Sequence, residues 1–127
     1  MRIANANLFL NGKFVKGGIE FEEKITAVGK DVNCSGVFDD ADEMYLIPGL
    51  VDVHSHGGAG FDVSDGSDCN LHRLGAYYAE KGVTSWCPTT MTLKEPTLIK
   101  AVEAIKAYER PKDGAKVAGI HLEGPFV

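Results

Sequence analysis

Three short apolar segments, centred near Val51, Thr84 and Ala118, recur 33 and 34 residues apart, and each gap holds a stretch of helical periodicity. Residues 45–53 form a nearly continuous apolar run containing Val and Ile, the pattern of a strand buried on both faces of a parallel sheet. Residues 67–81 read as a helix. Ser67 or Asp68 can cap it, Leu71, Leu74 and Tyr78 share one face, and Gly82 follows its end. Residues 83–87 are β-branched and aromatic, a short strand expected to stop at Pro88. A second helix opens at Pro96, carries Leu98, Ala101, Val102 and Ile105 on one stripe, and closes at Arg110-Pro111. Lys112-Asp113-Gly114 then turns the chain into a third strand over 117–120. The segments share no self-similarity, so this is not a repeat array. Alternating strands and helices demand parallel crossovers, which leaves an open α/β sheet or a (β/α)8 barrel.

Residues 1–45 have a different character. Residues 2–10 read as a strand, and Asn11-Gly12 is a strong two-residue hairpin signal because both residues tolerate positive φ. Residues 13–16 return, Gly17-Gly18 is expected to turn the chain again, and 19–21 and 24–28 are expected as two more short strands. The sequence thus divides into a small β unit, 1–45, and an α/β unit, 46–127.

Composition narrows the function classes. Hydrophobic residues make up 44% and charged residues 24%, a globular balance that excludes a disordered or coiled-coil chain. The net charge is −5 and the basic residues are scattered, so no nucleic-acid partner is expected. The cysteines, Cys34, Cys69 and Cys87, are odd in number and form no CxxC pair. They read as free thiols in a reducing compartment. Residues 1–18 carry no signal-peptide pattern, and no run approaches the ~18 apolar residues of a membrane span. The expected location is the cytoplasm.

The chemistry collects where strands end. His54 and His56 close the first parallel strand, and residues i and i+2 of a strand point to the same face. Two imidazoles therefore project together at the edge where α/β folds place their sites. The glycines at 57, 58 and 60 allow a sharp turn and a close ligand approach. Val63 stands where a dinucleotide fingerprint needs glycine, and no GK[ST] follows, so phosphate-loop readings fail. A calcium loop through Asp62, Asp65 and Asp68 fails as well. Its required glycine could only be Gly66, which puts Phe61 at the first ligand position. These aspartates are expected to form turns and caps. The third strand runs into His121-Leu122-Glu123, where His121 and Glu123 share a face. In a sheet that curves, Glu123 can converge with His54 and His56, and such a set suits Zn or Fe better than Mg or Ca. Thr89 and Thr90, at the end of the second strand, either orient a ligand histidine through their hydroxyls or simply pack the strand end.

The stretch from Pro48 to Gly57, with its Val51-Asp52-Val53-His54-Ser55-His56, resembles the first-strand signature of the amidohydrolase superfamily of metal-dependent hydrolases. Gly82-Val83-Thr84-Ser85, Pro88-Thr89-Thr90 and Gly119-Ile120-His121-Leu122-Glu123-Gly124-Pro125-Phe126 narrow the resemblance to its N-acetylglucosamine-6-phosphate deacetylase family. That resemblance implies the first three βα units of a (β/α)8 TIM-type barrel, preceded by part of a small β-sandwich. It implies hydrolysis of the acetamide of N-acetylglucosamine 6-phosphate to glucosamine 6-phosphate and acetate. Glu123 matches the ligand of the catalytic divalent metal, and His54 and His56 match a pair that holds a second metal in some members. One or two Zn or Fe ions per subunit, a sugar-phosphate substrate and a homo-oligomer follow from the same resemblance. A barrel needs about 250 residues. The remaining metal histidines, the aspartate that serves as general base and acid, and the sugar and phosphate contacts are expected beyond Val127. No catalytic base is therefore expected within these residues. The chain is expected to be the N-terminal piece of a longer enzyme and to be inactive alone. The alternatives are another amidohydrolase, such as a cyclic-amide hydrolase or a deaminase, or a non-enzymatic α/β module that binds a metal or a partner.

Overall fold

The computed structural model describes residues 1–30, 32 and 36–126. Cys34, one of the expected free thiols, lies outside the described residues; Cys69 and Cys87 are unpaired. The chain is mixed α/β and divides into two compact units, Met1–Pro48 and Gly49–Val127.

In the first unit, β1 (Arg2–Leu10) and β2 (Lys13–Phe21) pair antiparallel around the Asn11-Gly12 turn, where both φ values are positive, 51° and 80°. That is the backbone a two-residue hairpin with right-twisted strands requires. β3 (Ile25–Gly29) pairs antiparallel with β2, and the two-residue strands β4 (Asp39–Asp40) and β5 (Tyr45–Leu46) both run parallel to β1. The expected turn at Gly17-Gly18 is absent: β2 passes straight through it. A Cβ on Gly17 would lie 2.3 Å from the carbonyl oxygen of Gly29. The glycine serves close strand approach rather than chain reversal. Alternation along β1 sends Ala4, Ala6 and Leu8 inward, and Ala6 and Leu8 pack with Ala41 under Ile3, Leu10 and Leu46.

In the second unit, β6 (Leu50–Ser55) and the short hairpin β7 (Gly57–Gly58) and β8 (Phe61–Asp62) precede α1 (Asp68–Glu80). β9 (Val83–Thr90), α2 (Glu95–Ala107), β10 (Lys116–Val117) and β11 (His121–Leu122) follow. β9 pairs in parallel with β6, β10 and β11. Ser85 and Trp86 pair with both β6 and β10, so β9 lies between them.

The expected strand over 45–53 is broken. Tyr45 and Leu46 belong to the first unit's sheet, and Pro48, which has no N–H to give a ladder, precedes the new start at Leu50. Leu50, Val51 and Val53 were expected to be buried on both faces, yet each is more than half exposed, because among the described residues β6 has β9 as its one ladder partner. The second strand does not stop at Pro88 either. Proline is tolerated there because the β6 register shifts between Asp52 and Ser55 and the third strand is itself interrupted over 118–120. Within that interruption Ala118 still donates to the Trp86 carbonyl at 2.9 Å.

Ser67 is the cap of α1, accepting from the Asn70 N–H, and Leu71, Leu74 and Tyr78 are buried on its inner face. They pack with Trp86, Val63, Ala104, Ile105 and Ala115 into one core, in which the Trp86 ring lies 4.6 Å from Tyr78 and edge-on to Tyr108. Among the described residues no helix is long and apolar enough to cross a membrane.

Candidate metal centre

β6 delivers its histidines in a fixed frame. The Asp52 carboxylate accepts the His54 N–H at 3.0 Å, and the Ser55 N–H is donated to Thr89 Oγ1 at 2.9 Å. Period-two alternation then sends the His54 and His56 rings to one side, with their Nε2 atoms 3.3 Å apart. Glu123, directly after β11, reaches the same point. Its Oε2 lies 3.0 Å from His54 Nε2 and 3.1 Å from His56 Nε2. These are the three residues singled out by their types and spacing, and the fold brings them into one group. Their side chains are 34–47% exposed, so a solute can reach them while one side of each stays anchored.

The donor set has a definite chemistry. His56 Nδ1 lies 3.2 Å from the Thr89 carbonyl, which can only accept, so Nδ1 carries the proton and Nε2 presents its lone pair. That lone pair faces a carboxylate oxygen and another ring nitrogen. Three electron-rich atoms at 3.0–3.3 Å repel unless a proton or a cation lies among them. A tetrahedral ion with bonds of about 2.0–2.1 Å separates its ligand atoms by about 3.3 Å, a close match to this triangle. The residues present therefore fit a divalent ion of the Zn or Fe type.

Several contributors escaped the sequence reading. Of the two readings of Thr89, its hydroxyl does not hold a histidine ring: it accepts from the Ser55 N–H and donates to the Cys87 carbonyl, and the Thr89 backbone carbonyl holds His56. Strand alternation could have placed Thr89 beside β6, but nothing local signals that its main chain is the useful part. His121 donates through Nδ1 to the Val53 carbonyl at 2.9 Å and sets its ring 4.3 Å from His54, forming a wall beside the cluster. Thr92 donates to the Glu123 carbonyl at 3.3 Å. The aspartates at 62, 65 and 68 act as turn formers. Asp62 caps the short turn Val63–Asp65, Asp65 accepts from the Asn70 amide, and Asp68 lies in the first turn of α1. A hollow of about 670 Å³ lies in the first unit and is lined by none of these ligands. Its lining includes two polar pairs, Lys16 with Glu43 and Asn5 with Asp40.

No family model matches the chain. An N-acetylgalactosamine-6-phosphate deacetylase of Escherichia coli O157:H7 is 42% identical over 86 residues, which is 67% of this chain and 23% of the relative. An N-acetylglucosamine-6-phosphate deacetylase of Lysinibacillus sphaericus is 37% identical over 106 residues, 82% of this chain and 27% of the relative. A solved N-acetyl-D-glucosamine-6-phosphate deacetylase of Mycobacterium smegmatis, in complex with N-acetyl-D-glucosamine-6-phosphate, superposes with a TM-score of 0.82 at 25% identity. That match covers all of this chain and 33% of the solved one. The chain therefore spans about a quarter to a third of the length of the proteins it matches.

Proposed function

Because the chain belongs to the family of N-acetylglucosamine-6-phosphate deacetylases, over about a third of its members' length, we propose that it supplies metal-binding strand ends to such an enzyme. The reaction is hydrolysis of the acetamide of N-acetylglucosamine 6-phosphate to glucosamine 6-phosphate and acetate. In this reading residues 46–127 are the first three βα units of a (β/α)8 barrel and 1–45 are part of a small β-sandwich. The protein is a cytoplasmic homo-oligomer.

The observation that carries the reading is the meeting of His54 Nε2, His56 Nε2 and Glu123 Oε2 within 3.3 Å. These three side chains hold one or two Zn or Fe ions. Glu123 contributes the negative charge that favours a divalent cation. His56, whose Nδ1–H is held by the Thr89 carbonyl, presents Nε2 to the ion. The Asp52 carboxylate holds the His54 backbone, and the His121 ring limits how far His54 can swing. A divalent ion supplies a Lewis acid that polarises an amide carbonyl and lowers the pKa of water. Because the side chains are only half-buried, a sugar phosphate can approach them from solvent.

In an enzyme that carries these residues, acetate release from N-acetylglucosamine 6-phosphate tests the reading, compared before and after chelation and with Glu123→Gln. The amide keeps size and one acceptor but removes the charge, so activity and metal content should fall together, by at least about 10–100-fold. His54→Asn should do less harm if one ion suffices and equal harm if two are needed. Full metal and near-normal acetate release in Glu123→Gln would overturn the assignment. Release from the N-acetylgalactosamine isomer alone would reassign the sugar, a comparison prompted by the Escherichia coli relative.

A further inference from the structure

Ser55 lies between the two histidines, and alternation turns its side chain to the opposite face of β6. There its hydroxyl meets the hydroxyl of Tyr78, on α1, twenty-three positions along the chain. Both hydroxyls face the Gly57 carbonyl, Tyr78 at 2.9 Å and Ser55 at 3.4 Å; the shorter contact gives the Tyr78 proton to the carbonyl and leaves the Ser55 proton to bridge to the Tyr78 oxygen. The Tyr78 ring cannot drift, because the residue is 6% exposed and packs on the fully buried Trp86. One phenol thus joins the core of the second unit to the Ser55 side chain and the Gly57 main chain, on either side of His56. The other flanks are tied as well: His54 N–H to Asp52, Ser55 N–H to Thr89, and the His56 carbonyl to the Val63 N–H at 2.8 Å. Gly57 has φ 152°, and a Cβ there would lie 2.1 Å from the Phe61 carbonyl oxygen, so this turn accepts glycine only.

We propose that Tyr78 is a positioning residue: through Ser55 and the Gly57 carbonyl it fixes the angle between the His54 and His56 rings and so sets the affinity of the metal centre. This deepens the proposed function and rests on its reading that His54, His56 and Glu123 bind a divalent ion. Tyr78 touches neither ion nor substrate. Its effect arises because ligand atoms held at their final spacing need no ordering when the ion arrives. Without the phenol hydroxyl, the Ser55–Gly57 backbone loses two of its ties and the imidazole pair samples wider separations.

Tyr78→Phe removes the hydroxyl and keeps the ring that packs on Trp86. The measurement is Zn²⁺ affinity by competition with a chromophoric chelator, together with the visible absorption of the Co²⁺-loaded chain. Tyr78→Phe should bind Zn²⁺ about tenfold more weakly and shift the Co²⁺ bands, because partners that orient metal ligands typically carry about 10–100-fold in affinity. Ser55→Ala breaks the same tie from the other end and should match it. The double variant should lose little beyond either single one, since residues in one hydrogen-bond network are not additive. Wild-type affinity and unchanged Co²⁺ bands in Tyr78→Phe would overturn the proposal while leaving the metal reading intact, even if the metal-free protein melted earlier. Failure of the wild-type chain to take up Zn²⁺ or Co²⁺ would instead overturn the metal reading, and the positioning role with it.

Discussion

The two units build sheets of similar breadth by different means, and among the described residues the second gathers the metal-ligating side chains. In Met1–Pro48, β1, β2 and β3 are joined by tight turns and successive strands run in opposite directions. In Gly49–Val127 every ladder around β9 is parallel, so helices must carry the chain back between strands. An antiparallel meander splits its strand ends between two edges of the sheet. A parallel sheet delivers all its carboxyl ends to one edge. That is how His54 and Glu123, 69 positions apart, come within 3.0 Å. The helices also supply a second layer. The second unit buries Trp86, Tyr78, Leu71, Leu74 and Ile105, where the first buries little more than Ala6, Leu8 and Ala41.

Core truncation should show this contrast at its largest. Trp86→Ala removes the fully buried centre of the second unit's core and is expected to cost about 3–5 kcal/mol, whereas Leu8→Ala in the thinner core should cost about 2–3 kcal/mol. Urea unfolding of both variants measures the difference; equal costs would break the contrast between the two cores. A smaller effect separates two glycines of the first unit. Gly17→Ala forces a Cβ against the Gly29 carbonyl and is expected to cost about 1–3 kcal/mol and to loosen the β2–β3 pairing. Gly12→Ala meets open space and carries only the strain of positive φ, about 1 kcal/mol. Amide exchange along β3 distinguishes them: faster exchange in Gly12→Ala than in Gly17→Ala would contradict the close-approach role.

The smallest expected effect is electrostatic, and it differs in sign between the units. Burial raises the Tyr78 and Tyr108 hydroxyls above their ordinary values. A phenol raised on folding contributes stability that is present below its unfolded pKa and is lost as pH rises, from about pH 10 upward. In the first unit, Asp40 is lowered, first by the Asp42 N–H and then by the Asn5 amide. Its contribution is present above the ordinary carboxylate pKa and is lost as pH falls below about 4. Amide resonances followed through both pH extremes should show the second unit responding to alkali and the Asn5–Asp42 region to acid. The same order of loss at both ends would sink this distinction.

What could be read from residues alone follows the same physical divide. The Asn11-Gly12 turn, the Ser67 cap, the Leu71-Leu74-Tyr78 face and the Pro96 start are local signals, and each has the expected local structure. Gly17-Gly18 misled because the same residue serves a turn and a close strand contact, and only the Gly29 partner decides between them. Pro88 misled because a strand tolerates proline where both neighbouring ladders are irregular, which no window around Pro88 reveals. The exposure of Leu50, Val51 and Val53 depends on which strands and helices lie alongside β6, not on their own pattern. At the candidate centre, His54, His56 and Glu123 stood out by residue type and strand spacing. Thr89 acts through a main-chain carbonyl, and Tyr78 acts from a helix whose apolar periodicity already accounted for it.

We propose that His54, His56 and Glu123 together hold a divalent ion, and X-ray absorption at the zinc edge of the Zn²⁺-loaded chain reads that shell. Imidazole scattering from two histidines, with an oxygen ligand, is expected at bond lengths of about 2.0–2.2 Å, and zinc content should fall in Glu123→Gln. A zinc shell without imidazole, or full zinc content in Glu123→Gln, would contradict it.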